Sequence, residues 1–262
     1  MQELLVIKIG GNIIDDALLL NNFLKSMGKI TKPIILIHGG GKLATKLASD
    51  LNIPQQMIEG RRITDADTLK IVTMVYAGYI NKTIVAKLQA NKVNAFGLSG
   101  ADGNLIYATK RNHPTIDYGY VGDIQNINID VITMLLKNNY LPVIAPISHS
   151  NEAQLLNTNA DTIANEIATS LSQHYKVSLL YCFDKVGVLR NVEDENSVIS
   201  IINAENIHEL KMQKIIHSGM LPKIDNAFQA INKGVSKVIL GHANDIEQMV
   251  DGTKGTTILL NK

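Results

Sequence analysis

Seven short, nearly unbroken apolar runs punctuate the chain: LLVIKI, PIILIH, VNAFGL, LPVIAPI, KVSLLYC, KVIL and TTILL. A strand that is apolar on both sides must be covered on both sides, the condition of a parallel sheet held between helical layers. The segments between the runs carry helical spacing. Leu43, Leu47 and Leu51 recur every four residues with Ala44 and Ala48 beside them, and a longer pattern runs from Thr68 toward Leu88. Ile163, Ala164, Ile167, Ala168 and Leu171 share one helical face, as do Ala227, Phe228 and Ile231, after which Gly234 gives a stop. This alternation predicts an α/β chain: a three-layer α/β/α sandwich with a mainly parallel central sheet. Residues 100–123 differ, with Asp102-Gly103-Asn104, Gly119 and Gly122 around LIYAT and YGYVG. They read as one or two β-hairpins at one edge of the sheet.

With 262 residues, 45% of them hydrophobic, the chain is long enough for a sizeable core, in one domain or two lobes. A formal charge of +1 speaks against a nucleic-acid-coating or polybasic membrane protein, and the lack of Trp against a base-stacking platform. The lone Cys182 has no partner for an internal disulfide and reads as a small buried thiol, which fits a reducing cytoplasm. No apolar stretch reaches membrane-spanning length, and a strand that begins within the first residues leaves no room for a signal peptide. We therefore expect a cytoplasmic protein with neither nucleic-acid nor membrane partner.

Two of the apolar runs end in glycine. LLVIKI is followed by Gly10-Gly11, and IILIH by Gly39-Gly40-Gly41-Lys42. Glycines stripped of side chain between a strand and a helix let an anion approach free backbone N–H groups, with the helix dipole assisting. Other uses of HGGG fit less well. An esterase oxyanion hole needs a G-x-S-x-G elbow, and Gly97-Leu98-Ser99-Gly100 has the wrong spacing. Gly39, Gly41 and Ala44 match a dinucleotide fingerprint with Glu59 at ribose distance, but Gly60-Arg61-Arg62 follows, which suits an anion better. Gly41-Lys42 is followed by Leu43, so no Walker hydroxyl is placed for magnesium.

Charged residues complete the pattern. Lys8 interrupts an otherwise apolar strand, a costly position unless an anion meets it. Lys223, just after Pro222 at a helix start, opposes the dipole there and also calls for an anion. Asn159 and Asp161 have a structural explanation as cap and first-turn acid of the helix from Ala160, whereas Asn157 is not needed for the cap. Asp184 and Gly187 follow the strand KVSLLYC, where open sheets bind ligands and where a plain turn is equally consistent.

KIGGN, HGGGK, RRIT (61–64), Asn81-Lys82, GLSGADGNLI, VGDI, NTNADT, FDKVGVL, GMLPKI and KGTTI occur in the order and rough spacing of the amino-acid kinase family. Over nearly the whole chain the sequence resembles that family, and the Arg62 segment, NTNAD and GMLPK resemble its acylglutamate kinases. The resemblance implies transfer of the γ-phosphoryl of ATP to the γ-carboxylate of an N-acylated glutamate, acetyl by default, in arginine biosynthesis. It implies Lys8 and Lys223 as catalytic cations with Asp161 holding them, and Gly10 and Gly11 as the phosphate-facing turn. It implies Asp184 and Gly187 in the ATP pocket, and Gly40, Gly41, Arg62 and Asn157 as binders of the acylamino acid. Residues 1–173 would then form a lobe that binds acceptor and dimerises, and 174–262 a lobe that binds ATP, within one kinase domain. Mg2+ would travel with the phosphates and few protein ligands, since no paired-carboxylate motif stands out. Arginine-inhibited members carry a helix before the first strand, so a homodimer without strong arginine feedback is expected. Ala101, Lys185 and His217-Ser218 depart from the family pattern and bear on nucleotide contacts.

A carboxylate is already a competent nucleophile. The obstacle is repulsion between two anions, so lysines, backbone amides and magnesium are the groups the reaction needs. Succinyl or larger acyl groups remain open, with residues 101–121 as the segment that would set acyl size. Carrier-bound aminoadipate and free glutamate remain open as acceptors, and a catalytically silent ligand-binding regulator as another class.

Overall fold

The computed structural model describes residues 1–58, 61–213, 215–216 and 220–260. The strands are β1 (Glu3–Ile9), β2 (Ile34–His38), β3 (Met57–Ile58), β4 (Arg61–Arg62), β5 (Ala95–Leu98), β6 (Ile106–Lys110), β7 (Gly122–Ile127), β8 (Leu141–Ile144), β9 (Ile147–His149), β10 (Leu155–Asn157), β11 (Lys176–Phe183), β12 (Ile201–Ile202), β13 (Lys237–His242) and β14 (Thr256–Ile258). The α-helices are α1 (Gly11–Asp15), α2 (Ala17–Met27), α3 (Gly41–Asp50), α4 (Ala66–Val72), α5 (Asn81–Ala90), α6 (Ile129–Lys137), α7 (Ala160–Leu171), α8 (Ile207–Met212), α9 (Leu221–Asn232) and α10 (Ile246–Asp251). A π-helical stretch, Thr73–Ile80, joins α4 to α5 without a break.

All seven apolar runs supply strands to an eight-stranded sheet of order β12-β14-β13-β11-β1-β2-β8-β5. Every pairing in it is parallel except β13 with β14. Alternation along β1 divides the core. Leu5, Ile7 and Ile9 join α2, α3, α4 and α5 on one face, and Leu4 and Val6 join α6, α7 and α9 on the other. Lys8 occupies the next position of the second face, so the backbone period alone points it toward α7 and α9.

One expectation is corrected. The hairpin of β6 and β7 belongs to a separate four-stranded sheet, β10-β9-β6-β7, rather than to an edge of the main one. LPVIAPI is the cause: Ala145-Pro146 turns the run out of the main sheet after β8, and β9 continues it in the second. The helical spacing after HGGGK forms α3, with Ala44 and Ala48 fully buried, Leu43 and Leu47 partly buried against the same core, and Leu51, at its end, 53% exposed. A helix pressed close beside its neighbours accepts only small side chains along the line of contact. No described helix is long and apolar enough to cross a membrane.

Candidate active site

Chain order places the site. From β1 the sheet grows one way through β2, β8 and β5 and the other way through β11, β13 and β14. Such a reversal leaves a crevice beyond the carboxyl ends of the strands, where open α/β sheets bind ligands. A cavity of about 240 Å3 opens there, lined by Lys8, Gly10, Gly11, Asp161, Asp184 and Lys223 among others.

Lys8 pairs across the sheet with Tyr181 on β11 and Ile37 on β2. Its Nζ lies 2.7 Å from Asp161 Oδ1. Asp161 is fixed by its helix: Asn159 Oδ1 accepts from the N–H groups of Asp161 (2.8 Å) and Thr162 (3.1 Å), so the predicted cap forms. Tyr181 Oη donates to the Asp161 carbonyl at 3.4 Å, and burial, reinforced by the Asp161 charge, pushes its phenol pKa far up, so it stays a donor. Lys223 enters from the first turn of α9, with Nζ 4.6 Å from the centre of the Phe183 ring. Asn226, one turn further along the same helix face, lines the cavity too.

The Gly10-Gly11 turn owes nothing to crowding. Gly10 has φ −79° and ψ 167°, ordinary extended backbone, and its N–H bonds to the Cys182 carbonyl at 3.2 Å. A Cβ added at Gly10 or Gly11 would meet nothing closer than 3.8 Å. The protein itself would accept alanine at both, so the space is open for something else. Gly40 is different: its φ is +152°, and a Cβ there would lie 2.3 Å from Ile80 Cδ1. Gly10→Ala and Gly11→Ala should therefore keep the melting temperature of the parent while losing at least about tenfold in kcat/KM. Gly40→Ala should lose roughly 3 kcal/mol of stability or more. Urea denaturation and steady-state kinetics on the three variants check the contrast, and equal destabilisation of all three would contradict it.

Beside this cavity is a second of about 190 Å3, lined by Gly39, Gly40, Gly41, Arg62, Arg111 and Asn157 among others. Residues 157–160 and Thr162 also border it, so the start of α7 forms a wall shared with the first cavity through Asp161. Arg62 is only 8% exposed. Its Nη2 donates to the Gly41 carbonyl and to Thr45 Oγ1, each at 2.9 Å, and its Nη1 to Gln55 Oε1. Among the described residues every one of these partners is neutral, and no carboxylate lies within 4.0 Å. Asn157 Nδ2 donates to Thr64 Oγ1 at 3.0 Å, leaving its carbonyl side free to meet a ligand donor. Arg111 reaches the cavity from the end of β6, paired with Asp123.

The first cavity thus gathers Lys8, Lys223, Asp161, Gly10, Gly11 and Asp184, and the second Gly40, Gly41, Arg62 and Asn157. Gly187 lines neither; its φ of +154° serves packing, with a Cβ there 2.8 Å from Thr256 Oγ1. Cys182 is the buried thiol anticipated and borders the first cavity, and burial pushes its pKa up to about 12. Ala101 and Lys185 are exposed and line neither cavity; His217, Ser218 and Glu59 lie outside the described residues. Sequence reasoning missed Asn12, whose Oδ1 accepts from Lys42 Nζ and whose Nδ2 donates to Asp184 Oδ2 at 3.1 Å. It also missed Tyr181, Asn226 and Arg111. Helical spacing from Lys223 could have found Asn226, and strand alternation from Cys182 could have found Tyr181.

The amino acid kinase family model matches residues 3–242. Acetylglutamate kinase of Cytophaga hutchinsonii is 50% identical over 264 residues, with 100% of each chain covered. That of Phocaeicola vulgatus is 47% identical, covering 94% of this chain and 96% of the relative. The fold recurs in N-acetylglutamate synthase from Neisseria gonorrhoeae complexed with coenzyme A and N-acetyl-glutamate, at TM-score 0.82 and 20% identity over 99% of this chain and 60% of that one. It recurs in carbamate kinase from Giardia lamblia bound to AMP-PNP, at TM-score 0.71 and 16% identity over 99% of both. Near-complete coverage at up to 50% identity, together with the family match across nearly the whole sheet, settles the grouping: the chain belongs to the amino acid kinase family.

Proposed function

We propose that the protein is an acetylglutamate kinase, transferring the γ-phosphoryl of ATP to the γ-carboxylate of N-acetyl-L-glutamate in arginine biosynthesis. One observation carries the reading: a cavity with two lysines and a bare glycine turn adjoins a cavity with a buried arginine whose described partners are all neutral. Two anionic reactants would meet across the start of α7. Lys8 and Lys223 would spread positive charge over the phosphoryl group in transit, Gly10 and Gly11 would give it amides, and Asp161 would hold Lys8 in place, rather than both lysines as expected, since Lys223 lies against the Phe183 ring. Gly40, Gly41, Arg62 and Asn157 would bind the acceptor, Arg62 on its α-carboxylate. Asp184 would complete the nucleotide side together with the chain near Gly187. Mg2+ would be held mainly by the phosphates, with the exposed Asp184 carboxylate at hand; when bound it would neutralise phosphate charge.

The acceptor cavity draws only on residues 39–162, which supports a lobe 1–173 for the acceptor. The nucleotide cavity uses 181–226 as well, which supports a lobe 174–262 for ATP. The reading includes a cytoplasmic homodimer. A second acceptor has its own support: Arg111 and Arg61 also line the acceptor cavity, so an acyl group ending in a carboxylate, as in N-succinylglutamate, would find cations there. The test is hydroxylamine trapping of the acyl phosphate with ATP, Mg2+ and each acceptor in turn. Hydroxamate from N-acetylglutamate is expected; larger turnover with N-succinylglutamate would shift the acceptor to the second reading, and none from either would overturn both.

A further inference from the structure

His38 and Asn81 are both fully buried, and neither touches a reactant cavity. Burying two polar side chains is costly unless each finds partners, and these do. His38 Nδ1 lies 2.8 Å from the Gly39 carbonyl oxygen, and Asn81 Nδ2 lies 3.2 Å from His38 Nε2. Asn81 Nδ2 also donates to the Val143 carbonyl at 3.0 Å, and Asn81 Oδ1 accepts from Lys82 Nζ at 3.2 Å. Gly97 is part of the same fit, since a Cβ there would lie 2.2 Å from Asn81 Oδ1. The network assigns the tautomer. Asn81 presents a donor to Nε2, so Nε2 accepts and Nδ1 carries the hydrogen, which it donates to Gly39. Burial, opposed by the Gly39 bond, lowers the His38 pKa to about 4, which keeps the ring neutral at working pH.

The consequence follows from peptide geometry. The Gly39 carbonyl and the Gly40 N–H belong to one planar trans unit and point in opposite directions. Holding the carbonyl toward the core aims the N–H the other way, toward the acceptor cavity that Gly39, Gly40 and Gly41 line. Glycine on both sides of that unit makes its rotation inexpensive, so local backbone preference does not choose the orientation. Asn81 also opens α5 directly after Ile80, the residue that crowds Gly40. We propose that the buried His38–Asn81 pair is the positioning device of the acceptor turn, fixing the Gly39–Gly40 peptide so that the Gly40 N–H faces the bound carboxylated substrate.

This rests on the acceptor reading above, and the experiment separates the two. His38→Leu removes both hydrogen bonds. It should raise KM for N-acetylglutamate at least about tenfold while KM for ATP stays within about twofold. His38→Asn places an amide donor near the position of Nδ1 and should recover most of that loss. A folded His38→Leu protein with unchanged acceptor KM, or with both KM values raised equally, overturns the proposal. If His38→Leu does not fold, a long-range 1H–15N spectrum of the unaltered protein decides: the Nδ1-protonated neutral ring supports the device, and the Nε2-protonated ring excludes it. An unaltered enzyme that phosphorylates no acylglutamate overturns the acceptor reading instead, and the spectrum still judges the peptide.

Discussion

Lys8→Met should lower kcat by roughly a hundredfold to a thousandfold while KM for ATP moves only severalfold. The ammonium of Lys8 stands in the first cavity, the proposed nucleotide site, held at 2.7 Å by Asp161 at the end of a strand whose neighbours are buried. Met keeps the length and apolar stem of lysine, so the strand loses little packing. On the proposed reading, what disappears is a charge poised where two anions would approach, and such a charge counts for more as negative charge gathers in the transition state. Lys223→Met should show the same signature by a different route. Lys223 is exposed, and its described contact is the face of Phe183 rather than a carboxylate. On the proposed reading its ammonium would therefore lose little solvation before nucleotide arrives and could move onto the phosphates. The double variant should fall short of the product of the single effects, because both lysines act on one charge distribution. Rapid-quench kinetics with saturating ATP separate the chemical step from binding. Small, equal changes in kcat and KM for both lysines would remove them from the reaction.

The route from sequence to this site was uneven, for physical reasons. Apolar runs made the central sheet legible, because a strand buried on both faces has almost no freedom of composition. Lys8 was legible for the converse reason: a lone charge in such a strand needs a partner, and the period of two aims it at the face that carries α7. The cap of α7 was legible as local chemistry between Asn159 and the next residues. The second sheet was not, because Ala145-Pro146 lies inside one continuous apolar run and only the pairing partners reveal the bend. The role of Asn12 was hidden by distance in the chain, since its two partners lie 30 and 172 residues away. The glycines look alike in sequence yet divide in three: Gly40 is demanded by φ and crowding, Gly187 by packing under Thr256, and Gly10 and Gly11 by neither.

Arg62→Ala should raise KM for N-acetylglutamate by about a hundredfold to a thousandfold and leave KM for ATP within a few-fold. Arg62 is a buried cation, and an isolated buried charge is expensive. Gly41, Thr45 and Gln55 hold the guanidinium with neutral oxygens, which fixes its direction without cancelling its charge. A planar carboxylate arriving in the adjoining cavity would supply the missing anion, and the pair would gain more than a surface pair because the guanidinium is buried. Arg62→Lys tests the direction separately from the charge. A single ammonium cannot satisfy Gly41, Thr45 and a ligand in one plane, so the lysine variant should recover only a small part of the affinity. Because Arg62 also ties β4 to α3, both variants need a urea titration beside the kinetics. A loss of stability with acceptor KM within threefold of the parent would make Arg62 a brace of the glycine turn and leave the α-carboxylate without its cation. A large KM effect in a variant of parental stability would identify the charge itself as the recognition element.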